Sequence, residues 1–147
     1  MPLRPKKVFL SHSSRDRVFA DRLVSLLRSH GVRVWYSRTH IRGAQQWHDE
    51  IGRALARCDW FLLVLSPHSV KSLWVKRELL YALQKKRYEE RIIPLLYKKC
   101  RYEKLSWTLD ASQFVPFASG FDAGCEQLLR IWGLPAKRKR RKRRQSP

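Results

Sequence analysis

Short, almost unbroken apolar runs alternate with longer amphipathic segments along most of this chain, and this alternation limits its fold more than any other feature. The apolar runs cover residues 8–10, 32–36, 60–65, 92–97 and 114–117. Strands without a polar face are typical of a parallel sheet that helices cover on both sides. The five runs are therefore expected to form the strands of one such sheet.

Between the apolar runs, apolar residues recur every three or four positions, which is the spacing of one helix face. The first of these helices is expected to end at Gly31, and the third to run from about residue 73 to 87. Residues 98–113 are polar and are expected to form a loose connection. The predicted apolar faces are Phe19/Leu23/Leu26/Leu27, Trp47/Ile51/Leu55/Cys58, Val75/Leu79/Ala82/Leu83 and Cys125/Leu128/Leu129/Trp132. Together these patterns predict an α/β fold with a flavodoxin-like five-stranded parallel sheet of order 2-1-3-4-5 and helices on both faces.

This topology predicts where a ligand would bind. In open parallel sheets, ligands bind beyond the carboxyl ends of the strands, at the point where the winding direction reverses. For the order 2-1-3-4-5 that point lies between the first and third strands. The loops that face it are residues 11–14, which are rich in hydroxyl groups, and residues 66–74.

Trp74 and Glu78 lie four residues apart at the start of the helix that follows this second loop, so they are neighbours on the helix surface. A carboxylate at this position would be half buried beside an indole. A plainer interpretation makes Glu78 a solvated residue that pairs with Lys71 or Arg77, and Trp74 an ordinary core residue. A Trp-x-x-x-Glu spacing alone does not decide between the two.

Several ordered blocks of sequence resemble the Toll/interleukin-receptor (TIR) family over residues 7–132. The blocks are residues 8–16 (VFLSHSSRD), 31–36 (GVRVWY), 60–67, 72–79 (SLWVKREL) and 92–96 (IIPLL). The resemblance implies the five-stranded fold predicted above. It also implies an activity, because many bacterial and plant members, and one animal axonal member, cleave NAD⁺ at the nicotinamide–ribose bond. These members use a glutamate at the position of Glu78.

The resemblance assigns roles position by position. Glu78 would be the catalytic carboxylate and Trp74 an aromatic wall of the pocket. The remaining candidates for substrate binding are Ser11 and Ser13 toward ribose or phosphate, Phe9 toward the base, Ser66, and Trp47. For three of these a structural role is the alternative: Phe9 as a buried strand residue, Ser66 as a cap of the turn before Pro67, and Trp47 as core.

The chemistry of such a reaction requires only one carboxylate. Nicotinamide leaves NAD⁺ as a neutral molecule, so no general acid has to protonate it, and the charge to be stabilised is the positive charge that develops on ribose. Ordinary glycosidases differ because they use two carboxylates. NAD⁺ is expected as substrate, with no resident cofactor. His12 and His68 border the same crevice, but no third ligand follows at a recognisable spacing, so no metal site is predicted.

The loop after the second strand departs from the family pattern. Ser37 stands where the family often has an acidic residue, and Arg42-Gly43 replaces the common Pro-Gly. The shape and partner contacts of this loop stay open.

The chain carries 32 Lys and Arg against 12 Asp and Glu, a net charge of +20. A run of eight cations from Lys137 to Arg144 contributes to this, and the remainder still carries +12. The expected organisation is an N-terminal lead (1–6), a TIR domain (7–134) and a disordered polybasic tail (135–147). The tail either solubilises the protein or binds polyanions such as nucleic acid or anionic membrane without sequence preference.

Other features point to the cytoplasm. The three cysteines are odd in number and include no CxxC pair, no apolar run is long enough for a signal peptide core, and no membrane span is expected. The short lead and the abrupt basic end favour a standalone bacterial-type protein.

The leading hypothesis is an NAD⁺ glycohydrolase or cyclase in anti-phage or immune-type signalling. Homotypic self-assembly is expected, although a body at +12 opposes it unless a polyanion relieves the repulsion. The alternative is a non-catalytic TIR–TIR adaptor. A nucleoside deoxyribosyltransferase remains a further enzyme alternative. A receiver domain and a P-loop nucleotidase are disfavoured because the required acidic residues and glycine-rich cradle are missing.

Overall fold

The computed structural model describes residues 4–36 and 44–135, with side chains in the second helix described from residue 49 onward. Within these residues, five parallel strands form one sheet of order β2-β1-β3-β4-β5. The strands are β1 (Val8–Ser11), β2 (Val34–Trp35), β3 (Trp60–Leu65), β4 (Ile92–Leu96) and β5 (Val115–Pro116). The predicted sheet and its order are confirmed. β1 and β3 lie side by side in the middle of the sheet, with Ser11 opposite Leu63.

In the part of the chain that the structure describes, four α-helices cover the sheet: α1 (Arg17–Ser29), α2 (Ala44–Arg57), α3 (Leu73–Leu83) and α4 (Phe121–Ile131). Side chains alternate between the two faces of each strand. Val8 and Leu10 therefore join the core under α1 and α4, whereas Phe9 joins the core under α2 and α3. Because both faces are covered, every residue of β3 is buried. This explains why the strands are continuously apolar.

α1 ends just before Gly31, as predicted from the sequence, and the turn that ends the helix also shortens β2. Gly31 has a φ of +80°, its N–H donates to the carbonyl of Arg28, and the N–H of Val32 donates to the carbonyl of Leu27. These two bonds form the helix-terminating motif that a left-handed glycine permits. Val32 is therefore part of the turn that ends α1, so β2 begins at Val34 and not at residue 32.

Two predictions about the third helix need correction. α3 ends at Leu83, not near residue 87, because Lys85 is extended and a short 3-10 turn at Lys86–Tyr88 buries Tyr88 in the core. The Tyr88 hydroxyl there donates to the carbonyl of Leu55 at 2.5 Å. Leu83 was expected on the buried face of α3, but it is 39% exposed.

Residues 98–113 are also more ordered than expected. Two short 3-10 helices, Tyr102–Lys104 and Trp107–Ala111, bring Leu105 and Leu109 into the core. None of the described helices combines the length and the apolar character needed to cross a bilayer.

Candidate active site

The carboxyl ends of β1 and β3 form the centre of one edge of the sheet. α1, which follows β1, packs on one face of the sheet, whereas α3, which follows β3, packs on the other. The winding direction therefore reverses between these two strands, which is where the topology predicts a ligand site. Ser72 begins α3 because its hydroxyl accepts a hydrogen bond from the N–H of Val75 at 3.2 Å.

Ser11 and Glu78 meet at this reversal point. The Ser11 hydroxyl donates to Oε1 of Glu78 at 2.6 Å, joining residues 67 positions apart. Both side chains are buried, with exposed fractions of 1% and 7%. Glu78 thus faces into the fold and contacts Ser11, and it does not pair with Lys71 or Arg77. The plainer interpretation of Glu78 as a solvated surface residue is wrong in this respect.

Burial changes the acidity of this carboxyl group. Desolvation raises the pKa of Glu78 from 4.5 to about 7, and the hydrogen bond from Ser11 offsets part of that rise. A buried carboxylate is disfavoured because it has lost most of its hydration, whereas a hydroxyl that donates to it favours the charged form. Strongly shifted groups of this kind concentrate at functional sites.

A second buried pair lies at the same sheet edge. The Ser66 hydroxyl, just after β3, donates to Oδ2 of Asp16 at 2.5 Å and accepts from the N–H groups of His68 and Ser69 at 3.1 Å. Asp16 precedes α1 and is only 5% exposed. The pair ties the loop after β1 to the loop after β3. Ser66 therefore has the turn-forming role given as its alternative. Asp16 was not predicted from the sequence as part of this site, because an acidic residue at the start of a helix has an ordinary local explanation.

Comparison with known proteins decides the family. Residues 8–129 match the sequence model of the TIR domain. The chain belongs to the TIR domain family. The earlier resemblance is thereby confirmed.

Two bacterial relatives are similar to this TIR domain in sequence. A protein of Paracoccus denitrificans named NAD(+) hydrolase PdTIR is 30% identical over 107 residues, which are 71% of this chain and 36% of the relative. A protein of Bacteroides thetaiotaomicron named 2' cyclic ADP-D-ribose synthase BtTIR is 29% identical over 80 residues, 53% of this chain and 28% of the relative. The chain therefore spans about a third of the length of these curated relatives.

A solved structure agrees on the fold. The TIR domain of the Toll-related receptor TRR-2 from Hydra magnipapillata has a TM-score of 0.63 at 19% identity, covering 86% of this chain and 90% of that one. At this identity the likeness shows the fold alone.

Trp74 lies at the surface of the TIR domain. It is 45% exposed, and the Arg77 guanidinium lies 5.2 Å from the centre of its indole ring. Because Trp74 is one helical turn before Glu78, the two residues are neighbours on the helix. Its interpretation as an ordinary core residue is wrong, and its role as a wall of the pocket stays a prediction.

Other candidates from the strand β1 region have structural partners. Ser13 accepts a hydrogen bond from the N–H of Arg15 at 3.1 Å and begins a short 3-10 turn. Phe9 is fully buried, and its ring stacks on those of Trp35 and Phe61 at centroid distances of 5.0 and 5.3 Å. Phe9 is therefore a buried strand residue, which is the structural role given above as the alternative to binding the base.

Some predictions fall on residues outside the described part of the chain. These are the side chain of Trp47, the loop residues Ser37, Arg42 and Gly43, and the tail from Lys137 to Arg144. These loop residues follow β2 in the sequence.

Two of the three cysteines are unsuited to act as nucleophiles. Cys58 and Cys125 are buried, and burial raises the pKa of the first thiol to about 11 and of the second to about 12. Neither thiol is appreciably ionised at neutral pH. Within the described residues no group of three His, Cys, Asp or Glu side chains could hold a metal ion.

A cavity of about 790 Å³ lies at the opposite edge of the sheet, beside the amino ends of β3 and β4. Trp60, Leu83, Glu89 and Ile93 are among its lining residues. Neither Ser11 nor Glu78 is among the residues that line it, so its size alone does not make it the active site. The buried, hydrogen-bonded carboxylate is the better candidate on chemical grounds.

Proposed function

We propose that this TIR domain cleaves NAD⁺ at the bond between nicotinamide and ribose, with Glu78 as its catalytic carboxylate. The observation that carries the proposal is the buried Glu78, held by Ser11 at the winding reversal of the sheet. The names of the two bacterial relatives, an NAD⁺ hydrolase and a cyclic ADP-ribose synthase, support the same substrate.

The proposed reaction breaks the bond between C1′ of ribose and the pyridinium nitrogen. The bonding electron pair leaves with nicotinamide, which is thereby neutral, and positive charge develops on the ribose carbon and ring oxygen. In hydrolysis, a water oxygen attacks C1′ and releases a proton, giving ADP-ribose. In cyclisation, a hydroxyl oxygen of the same molecule attacks C1′ and its proton is released. Both outcomes pass through the same cationic sugar.

A fixed negative charge beside the sugar lowers the barrier to this step. Glu78 supplies such a charge once it is ionised, and its low exposure keeps water from screening that charge. The Ser11 hydroxyl fixes the orientation of the carboxylate before the substrate arrives. Preorganised groups of this kind stabilise a developing charge without having to reorient during the reaction.

The direct test is mass analysis of products after the full chain is incubated with NAD⁺. We expect nicotinamide together with ADP-ribose or a cyclic isomer of it. NADP⁺ and nicotinamide riboside assayed in parallel define which part of the substrate is needed. If the folded protein releases no nicotinamide at any concentration that permits assembly, the catalytic proposal is wrong and the non-catalytic adaptor function replaces it.

The hydrogen bond from Ser11 to Glu78 leads to a prediction about the pH dependence of kcat/KM. Because only ionised Glu78 stabilises the cationic sugar, kcat/KM is expected to rise with pH through about 7 and then level off. Ser11→Ala removes the hydroxyl that favours the charged form, so the midpoint should move up by about one pH unit. Ser11→Thr, which keeps a hydroxyl, should restore most of the wild-type profile. An unchanged midpoint in Ser11→Ala would show that Ser11 does not set the acidity of Glu78.

The polybasic tail and self-assembly form a second part of the proposal. We expect a cytoplasmic, self-assembling enzyme in anti-phage or immune-type signalling, with polyanions relieving the repulsion between bodies at +12. DNA should then raise NAD⁺ turnover of the full chain at low salt and have a much smaller effect at high salt. The same rates for the full chain and for a chain lacking residues 136–147 would contradict a role for the tail.

A further inference from the structure

The outward face of α3 carries several large apolar side chains, which is unusual for a helix at a protein surface. Among the described residues, six large apolar side chains are exposed. Four of them belong to α3, namely Trp74 and three leucines. Leu73, Leu80 and Leu83 are exposed by 55%, 42% and 39%, respectively. The inward face of the same helix is apolar as well, with Val75, Leu79 and Ala82 buried. Large apolar side chains grouped on the exposed face of a helix, in addition to those on its buried face, mark a surface that binds a partner.

This outward face is distinct from the candidate active site. Leu73 and Leu80 are seven residues apart, so they lie two turns from each other on one line along the helix, and Leu83 lies beside that line. Glu78 lies on the buried side and contacts Ser11. The exposed leucines therefore contribute nothing to holding Glu78, and catalysis does not explain them. We refer to Leu73, Leu80 and Leu83 as the leucine face.

Positive charges surround the leucine face. Lys76 and Arg77 lie on the helix between Leu73 and Leu80, and Lys71, Lys85 and Lys86 lie beyond its two ends, all of them exposed. Between residues 71 and 87 the sequence has one acidic residue, Glu78, and its side chain is buried. The surface of α3 thus presents apolar side chains and positive charge together.

We infer that the leucine face docks on an anionic lipid bilayer, with its leucines among the headgroups and its lysines and arginine against lipid phosphates and carboxylates. Apolar and cationic residues on one helix face are the combination that interfacial membrane binding uses. Anionic lipids attract each nearby cation, and the leucines add the burial of apolar area.

Charge argues against the other partners that such a face could have. A second copy docked symmetrically would place two cationic faces against each other, and each copy carries further positive charge elsewhere. A nucleic acid would satisfy the cations but would leave the leucines beside phosphates and water. The bilayer is the partner that matches both the charge and the apolar area.

The test compares matched variants of the full chain by co-sedimentation with vesicles near physiological salt. One set of vesicles contains phosphatidylcholine alone and the other contains added phosphatidylserine. We expect wild type to bind the phosphatidylserine vesicles, and Leu80→Ser/Leu83→Ser to bind them about tenfold more weakly. Lys76→Gln/Arg77→Gln should weaken binding by a similar factor of about ten. The tail is present in every protein and contributes equally to each.

Val18→Ser is the matched control, because Val18 is 83% exposed but lies on α1, at the other face of the sheet. It should bind as wild type does. Circular dichroism and thermal melting identify any variant that has lost its fold.

Equal vesicle binding by wild type and Leu80→Ser/Leu83→Ser would overturn the inference, as would an equal loss in Val18→Ser. Two further measurements distinguish the other partners. If the leucine substitutions abolish self-association but leave vesicle binding intact, the face is a protein interface. If they weaken only DNA binding in a gel-shift assay, it is a nucleic-acid surface. Either result also contradicts docking on a bilayer.

Discussion

Glu78→Ala is expected to lower kcat for nicotinamide release by about 10²–10³-fold or more, with a much smaller change in KM. The factor corresponds to the loss of one preorganised group that stabilises charge in the transition state. KM should change little because the charge that Glu78 stabilises develops only as the glycosidic bond breaks. Rapid quantitation of nicotinamide at saturating NAD⁺ gives kcat, and a substrate series gives KM.

Glu78→Gln separates the charge of this side chain from its shape. Glutamine keeps an oxygen that can accept the hydrogen bond from Ser11, but it carries no charge. Its kcat should therefore fall nearly as far as that of Glu78→Ala. Glu126→Ala is the matched control, since Glu126 is exposed on α4 at the other face of the sheet. Near wild-type turnover by Glu78→Gln would exclude electrostatic stabilisation by Glu78.

The fold could be predicted because strands that are buried on both faces of a sheet have continuously apolar sequences. β3 matches its predicted bounds, and it is the central strand of the sheet, with every residue buried. The helix α3 was harder, because apolar residues surround it and periodicity then does not identify the buried side. Leu83 was assigned to the core for this reason, although its side chain is exposed.

The position of the candidate site could be predicted from the sequence, but its hydrogen bonds could not. Topology places the loops after β1 and β3 at one sheet edge, and this brings Ser11 and Glu78 into the same region. Whether the glutamate faces solvent or the sheet depends on how α3 packs, which spacing alone does not specify. The Asp16–Ser66 pair was missed because each residue has an ordinary local explanation, a helix start and a turn cap.

Glu78→Gln is also expected to stabilise the folded protein at and above neutral pH by about 3 kcal/mol, the linkage expected for a pKa raised from 4.5 to about 7. The sign follows from which state loses its proton first. As pH rises above 4.5, the unfolded chain ionises Glu78 while the folded chain keeps it protonated. Ionisation favours the unfolded state, so wild-type stability falls until the folded carboxyl also ionises near pH 7. Glutamine removes this penalty.

Urea unfolding of wild type and Glu78→Gln across a pH series measures the effect. The two proteins should have similar free energies of unfolding near pH 4, where both side chains are neutral, and should diverge to a constant difference above about pH 7. Glu126→Gln, at an exposed position of α4, is the matched control for the loss of one carboxyl group. A constant difference between wild type and Glu78→Gln at every pH would mean that packing, and not dehydration of the carboxylate, causes it. A stabilised but inactive Glu78→Gln would show that this TIR domain keeps a destabilising buried charge because its reaction requires one.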